Sequence, residues 1–207
     1  MESFWIDPAN PDNTRIRQAA ALIKAGGVAV FPTDTVYGLG ASIFHLDAIE
    51  RLFKIKGRLK SKGLIAMIAD IADVEKVCCE IPDQARALMT KFWPGPLTLV
   101  MPASDSIPRL MAVDGTIGVR LPNSRLAIEL IRSVGEPLAT TSANISGRAS
   151  LLSVDEAKDA LGDRVDVYID GGLSPIGLES TVVDPGVEPL RIYREGAISK
   201  EAILEVP

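Results

Sequence analysis

Between Arg51 and Lys62 the chain places six cationic side chains, Arg51, Lys54, Lys56, Arg58, Lys60 and Lys62, within twelve positions. They are six of its 22 lysines and arginines, and no acid interrupts from Arg51 to Ala69. Arginine offers a forked pair of donors to a carboxylate or phosphate, and lysine a compact point charge. Such a segment can hold a polyanion; it can equally be a solvated loop with scattered bases. Gly57 and Gly63 fall among the charges and predict irregular backbone there.

Three further features could join it. Phe31-Pro32-Thr33-Asp34-Thr35-Val36-Tyr37-Gly38-Leu39-Gly40 reads as a polar, glycine-containing turn after a strand, where α/β proteins bind ligands. Its Gly38-Leu39-Gly40 is not a full dinucleotide fingerprint, and no Walker A sequence occurs. Thr140-Thr141-Ser142-Ala143-Asn144-Ile145-Ser146-Gly147 is rich in short hydrogen-bonding side chains that suit a phosphate, a base edge or an ordinary turn. Arg120 and Arg194 stand at the ends of predicted strands, either as surface charges or as clamps for a carboxylate and a phosphate.

His45 is the only histidine, so multi-histidine metal sites are excluded, and no catalytic triad is evident. The acids are dispersed and form no evident dyad. A reaction on this chain would therefore rest on positioning and charge neutralisation, as phosphoryl and nucleotidyl transfer do.

The elements that must position these groups are legible from periodicity. Asp12 and Asn13 are N-cap candidates for a helix carrying Ile16, Ala19, Ala20 and Ile23 and stopping at Gly26-Gly27. A strand follows at 28–31. A second helix starts near Asp47 with Ile49, Leu52 and Phe53 on one face, and 64–68 reads as a strand. Pro82 suits the first turn of a helix running toward Lys91. Strands are expected at 97–101 and 116–120, with a short helical turn at 108–111 between them. Ser124 can cap a helix ending at Gly135, and a strand at 138–141 follows it. Ser153 and Glu156 form a capping box for a helix to Leu161. The last strands read as 165–169, 180–183 and 190–193, with Ser199 capping a final turn. Helices and strands alternate, then strands dominate, which predicts an α/β protein: one domain over 1–207, a twisted open mixed sheet with helices packed on it.

Composition sets the class. Of 207 residues, 47% are apolar and 24% charged, with a net charge of −5, which argues against a dedicated nucleic-acid coat. Cys78 and Cys79 are adjacent and read as reduced thiols. The N-terminus has no basic n-region before an apolar run, and no stretch reaches the roughly 20 apolar residues of a membrane helix, so a cytoplasmic protein is expected.

Taken together these segments resemble the YrdC/Sua5 family, the threonylcarbamoyl-AMP synthases, over about Gly26 to Ile198. The resemblance lies in Pro32-Thr33-Asp34-Thr35-Val36-Tyr37-Gly38-Leu39, Lys56-Gly57-Arg58, Trp93-Pro94-Gly95-Pro96-Leu97-Thr98, Gly118-Val119-Arg120-Leu121-Pro122, Ser142-Ala143-Asn144, Glu179-Ser180-Thr181-Val182-Val183-Asp184 and Arg194-Glu195-Gly196. It implies that the threonine amine takes up CO2 from bicarbonate, that the carbamate attacks the α-phosphate of ATP, and that pyrophosphate leaves. It implies Lys56 and Arg58 as the catalytic grip on the phosphates. Ser142, Asn144, Ser180 and Arg194 would complete the ATP site, and Thr33, Tyr37 and Arg120 would bind threonine. Mg2+ would arrive with ATP, held by phosphate oxygens and water rather than by a protein metal site. The product would pass to a tRNA-modifying transferase, which makes the tRNA link indirect, and a contact with RNA itself is also open. The chain is similar to the short, single-domain form, and it has Met67 where longer relatives tend to carry a histidine. An alternative within the family is a paralogue that binds nucleotide or double-stranded RNA without synthase activity, toward which Asp7-Pro8-Ala9-Asn10-Pro11 has some likeness. A carbamoyl-transfer module of the hydrogenase-maturation kind would bring zinc-finger cysteines, which are absent here.

Overall fold

The computed structural model describes residues 1–206. In chain order the elements are β1 (Glu2–Trp5), α1 (Asn13–Lys24), β2 (Ala29–Phe31), β3 (Gly38–Ser42), α2 (Leu46–Lys56), β4 (Ile65–Met67), α3 (Val74–Val77), α4 (Asp83–Phe92), β5 (Leu97–Pro102), β6 (Thr116–Arg120), α5 (Arg125–Val134), β7 (Leu138–Ser142), α6 (Val154–Leu161), β8 (Val167–Asp170), β9 (Thr181–Asp184), β10 (Arg191–Arg194) and α7 (Lys200–Leu204). All ten strands join one sheet in the order β1-β8-β2-β3-β7-β4-β6-β5-β9-β10. The pairings β1–β8, β8–β2, β4–β6 and β5–β9 are parallel and the others antiparallel, so the sheet is mixed as expected.

The helix ends follow from their caps. Asp12 accepts from the amides of Thr14 and Arg15, Ser124 from Ala127, Ser153 from Glu156 and Ser199 from Ala202, which satisfies amides that open each helix. The return half of the expected capping box lands one residue early, because Glu156 accepts from Leu152 and not from Ser153. Gly135 adopts φ +82° and Gly57 φ +63°, the left-handed conformation that ends α5 and α2.

The sheet has two unlike faces. Alternation along β2 and β8 sends Val30 and Tyr168 into a large core under α2, α4, α6 and α7, and Ala29, Phe31, Val167 and Ile169 into a second core under α1 and α5. The second core reaches only to Leu138 of β7 and Met67 of β4. Beyond it Ile65, Gly118, Thr98, Val182 and Tyr193 continue the same face, and no helix among the described residues packs over them. That uncovered half is the floor of the site. Gly118 keeps that floor low, since a Cβ there would come within 3.2 Å of the Thr98 methyl and fill the groove.

Two expectations required correction, and two short elements left no signal in the sequence. Gly38–Ser42 is a central strand between β2 and β7 rather than a turn. Its glycines concealed it: a Cβ on Gly40 would stand 2.9 Å from the Phe31 ring and 3.1 Å from the Thr140 methyl, so packing selects what propensity disfavours. Residues 108–111 close one hydrogen-bonded turn, Met111 N to Pro108 O, without becoming helical. Glu2–Trp5 forms an edge strand and Val74–Val77 a one-turn helix, both too short to leave a periodic pattern. Among the described residues no helix is long and apolar enough to cross a membrane.

Candidate active site

The groups with chemical potential converge on a cavity of about 270 Å³ between the start of β3, the ends of α2 and β7, the residues just before β9 and the end of β10. It is lined by six cationic side chains, Lys56, Arg58, Lys62, Arg120, Arg148 and Arg194, and by one carboxylate, Glu179. In a chain of net charge −5 this is a strong local concentration of positive potential. The basic stretch read from the sequence is divided by the fold. Arg51 pairs with Asp166, and Lys54 and Lys60 pair with Glu50, leaving only Lys56, Arg58 and Lys62 on the cavity.

Lys56 is the last residue of α2 and is buried. Its ammonium lies 2.6 Å from Ser142 O, 3.0 Å from Ser142 Oγ, 3.1 Å from Asn144 O and 2.7 Å from Asn144 Oδ1. Four oxygens compete for three N–H donors, so the group expected to grip phosphate is committed to the loop after β7. Ser142 Oγ also donates to Asn144 Oδ1 at 2.6 Å, and the Ser146 amide donates to Lys56 O at 2.8 Å. Lys56 therefore organises Ser142 and Asn144, and its charge reaches the cavity from the floor.

Burial pushes the Lys56 ammonium down to about 8, and the nearby Arg58 adds to this. The ordinary value is 10.5. Above the lower value the folded chain holds this lysine neutral while the unfolded chain keeps the proton until the upper one. The fold thus gains from this group as pH rises between them and loses that gain as pH falls. The site changes in the opposite sense, since it loses a positive charge. Affinity for a polyphosphate should consequently decline between about pH 7 and about pH 9, measurable by calorimetric titration of ATP; a flat profile would contradict a charged Lys56 in the site.

Arg58 donates from Nε to Gly63 O at 3.0 Å and from one terminal nitrogen to Lys62 O at 2.7 Å. These bonds hold the 58–63 loop and leave further N–H groups toward the cavity. Arg194, on the edge strand β10, pairs with Glu179 and donates to Ser180 O at 3.0 and 2.8 Å and to Ser180 Oγ at 3.2 Å. Ser180 Oγ and Thr98 Oγ1 share a hydrogen bond of 2.8 Å. Burial opposes ionisation of Glu179, but the Ser150 hydroxyl at 2.7 Å and the Arg194 charge hold its carboxyl below the usual range. Glu179 and Arg194 thus fix each other.

Of the residues expected at the threonine part, all three line the cavity; the hydroxyls of Thr33 and Tyr37 are engaged within the fold, and Arg120 is engaged in part. Thr33 Oγ1 donates to Val36 O at 2.7 Å and accepts from the Thr35 amide. Tyr37 donates to Gly172 O at 2.7 Å and accepts from the Gly171 amide at 3.3 Å, and burial pushes its hydroxyl up to about 12. It ties the strand β3 to the loop after β8 and has no donor left for a ligand. Arg120 spends three N–H donors on Asp34 Oδ1 at 2.6 Å, Thr35 Oγ1 at 2.8 Å and Gly95 O at 3.1 Å, keeping two. Met67 closes the wall behind it.

Arg58, Lys62, Leu64, Ile65 and Arg194 also line a second groove of about 550 Å³, which runs on over the uncovered floor past Thr98, Gly118, Val182 and Tyr193. Reading the sequence missed Asp34, Glu179 and Arg148 as individual contributors. Asp34 and Glu179 stood inside motifs already singled out; Arg148 follows Gly147 in the turn after Asn144 and carried no distinguishing pattern.

A sequence model of the Sua5/YciO/YrdC family, described as telomere recombination, matches residues 21–196. Threonylcarbamoyl-AMP synthase of Bacillus subtilis is 40% identical over 199 residues, covering 95% of this chain and 58% of that protein. Threonylcarbamoyl-AMP synthase of Halorhodospira halophila is 36% identical over 184 residues, covering 88% of this chain and 92% of that protein. The crystal structure of P. abyssi Sua5 complexed with L-threonine superposes with a TM-score of 0.96 at 38% identity, over 100% of this chain and 61% of that one. The chain thus spans about three-fifths of the length of the Bacillus protein and of P. abyssi Sua5, and nearly all of the Halorhodospira length.

Proposed function

The chain belongs to the Sua5/YciO/YrdC family, and from that premise we propose that it joins L-threonine, bicarbonate and ATP into threonylcarbamoyl-AMP and pyrophosphate. The observation that supports this reading best is the cavity itself: six cations and one carboxylate around a hydroxyl-rich loop, continuous with a longer groove. A triphosphate is matched by such a lining, and the groove beyond offers room for a nucleoside.

In this reading the threonine amine forms a carbamate with CO2. A carbamate oxygen attacks the α-phosphorus, the bond from that phosphorus to the bridging oxygen breaks, and pyrophosphate departs with the electron pair. Charge builds on the phosphate oxygens as it does so, and fixed cations that need no reorganisation lower that barrier. Arg58 and Arg194 act at the phosphates, Lys56 sets Ser142 and Asn144 against the nucleotide, and Ser180 is held by Arg194 and Thr98. The two uncommitted donors of Arg120 suit the threonine carboxylate. Thr33 and Tyr37 shape that pocket through the loop they hold rather than through free hydroxyls.

Glu179 is the one carboxylate lining the cavity, and its oxygens already accept from Ser150 and Arg194. Among the described residues no group of three metal-ligating side chains occurs. This donor set fits Mg2+ carried in on ATP, bound by phosphates and water, because Mg2+ commonly keeps several waters and needs few protein ligands. The metal would supply charge neutralisation at the polyphosphate. Transfer of the product to a tRNA-modifying enzyme belongs to the same reading.

Mass spectrometry of the purified protein with ATP, threonine, bicarbonate and Mg2+ tests it. An adenylate with the threonylcarbamoyl mass, and matching pyrophosphate, is the expected result. Absence of the adenylate at every Mg2+ concentration, with tight binding of double-stranded RNA at physiological salt, would replace it by the nucleic-acid reading. Arg58→Ala should lower turnover by about 100-fold, the scale of losing one preorganised charge donor. Its hydrogen bonds go to carbonyls of a solvent-facing loop, so unfolding free energy should change by no more than about 0.5 kcal/mol. Unchanged steady-state rates would remove Arg58 from the site.

A further inference from the structure

Four of the six cations at the cavity are tied to fixed partners: Lys56 to the 142–144 loop, Arg58 to 62–63, Arg120 to Asp34 and Arg194 to Glu179. Arg148 differs. Its side chain is exposed and makes no hydrogen bond or ion pair with the described residues, yet it lines the cavity. Its backbone is anything but loose. Asn144 Nδ2 donates to Arg148 O, the Arg148 amide donates to Ile145 O at 3.0 Å, and Ser146 N donates to Lys56 O at 2.8 Å. Gly147 turns the chain at φ +83° immediately before Arg148.

The geometry points to Arg148 as a phosphate-binding residue that holds the pyrophosphate end of the nucleotide and accompanies it as it leaves. The physical reason is division of labour. A guanidinium locked to a protein acceptor is preorganised for the transition state but cannot follow a group that moves away. A guanidinium on a pinned backbone, with every donor free, can make the forked contact to phosphate at both stages. Its anchor is the same Asn144 that Lys56 fixes, so occupancy of the cavity and placement of Arg148 are mechanically joined. No carboxylate competes: the one acid of the lining is engaged by Ser150 and Arg194.

This inference rests on the nucleotide reading of the cavity, but its test does not need turnover. Inorganic pyrophosphate and AMP are titrated calorimetrically into the wild type and into Arg148→Ala, Arg148→Lys and Arg148→Glu. Arg148→Ala should weaken pyrophosphate about tenfold, the scale of one charge-assisted contact, Arg148→Lys less, and Arg148→Glu more, with AMP nearly unchanged. Thermal unfolding midpoints should stay with the wild type, because the backbone anchors survive in all three. Equal pyrophosphate affinity in wild type and Arg148→Ala, or equal weakening of AMP and pyrophosphate, overturns the assignment. If the wild type forms no adenylate while pyrophosphate binding still depends on Arg148, the proposed reaction fails and this assignment stands.

Discussion

Lys56→Met is expected to cost at least ~100-fold in turnover and to destabilise the fold as well. Methionine copies the length of the side chain and removes the ammonium. Four oxygens of Ser142 and Asn144, now within 2.6 to 3.1 Å of Nζ, would face a thioether. Leaving a buried polar group unpaired costs about 1–3 kcal/mol, so a total loss of about 2–4 kcal/mol is expected after the loop relaxes. The same relaxation moves Ser142, Asn144 and, through its carbonyl, Arg148. Lys56→Arg should not rescue, since a planar fork does not fit a cage built for a compact ammonium. Thermal unfolding and steady-state pyrophosphate release, measured together, check this. The contrast with Arg58→Ala carries the argument: both variants lose rate, and only the Lys56 variant loses stability. Lys56→Met with wild-type unfolding would show that the cage does not organise the loop.

Asp34→Ala should produce the largest change in stability at any lining or supporting position. Asp34 and Arg120 form an ion pair whose side chains are 4% and 5% exposed. Burial pulls the Arg120 guanidinium below its ordinary value, opposed by the Asp34 charge beside it. Removing the carboxylate leaves a buried charge without its counter-ion, which costs about 3–5 kcal/mol and should lower the unfolding midpoint by roughly 10 °C in a chain of this size. The double variant Asp34→Ala/Arg120→Met should recover part of that loss, because no orphan charge remains. Asp34→Ala should also raise the KM for threonine more than that for ATP, as Arg120 would lose the partner that sets its plane. An unchanged midpoint in Asp34→Ala, or a double variant no better than the single, would show that this pair does not hold the loop.

The α/β class, the mixed sheet and most element positions were open to sequence reading because caps and apolar spacing are local. Asp12, Ser124, Ser153 and Ser199 each act through bonds to amides two or three residues away, and Ile16, Ala19, Ala20 and Ile23 mark one helix face at any location in a fold. The ordered segments around Lys56, Arg58, Ser142, Asn144, Ser180 and Arg194 were legible for the same reason, as short runs of characteristic residues, and the fold brings every one of them to a single cavity. β3 was not legible, since its glycines are selected by contacts with Phe31 and Thr140 across the sheet.

Local pattern in the chain is enough to give the class of fold and the set of residues able to handle a polyanion. How those residues divide the work is set by contacts across the fold. Lys56 and Asn144 lie 88 positions apart and Arg120 and Asp34 86 apart, so no local pattern could reveal that one cation is caged and another is paired from behind. Nor could it show that Arg51, Lys54 and Lys60 turn to Asp166 and Glu50 while Arg148 remains free. A charge is a property of the residue; its availability depends on which donors the fold has already used, and that is set by partners distant in the chain.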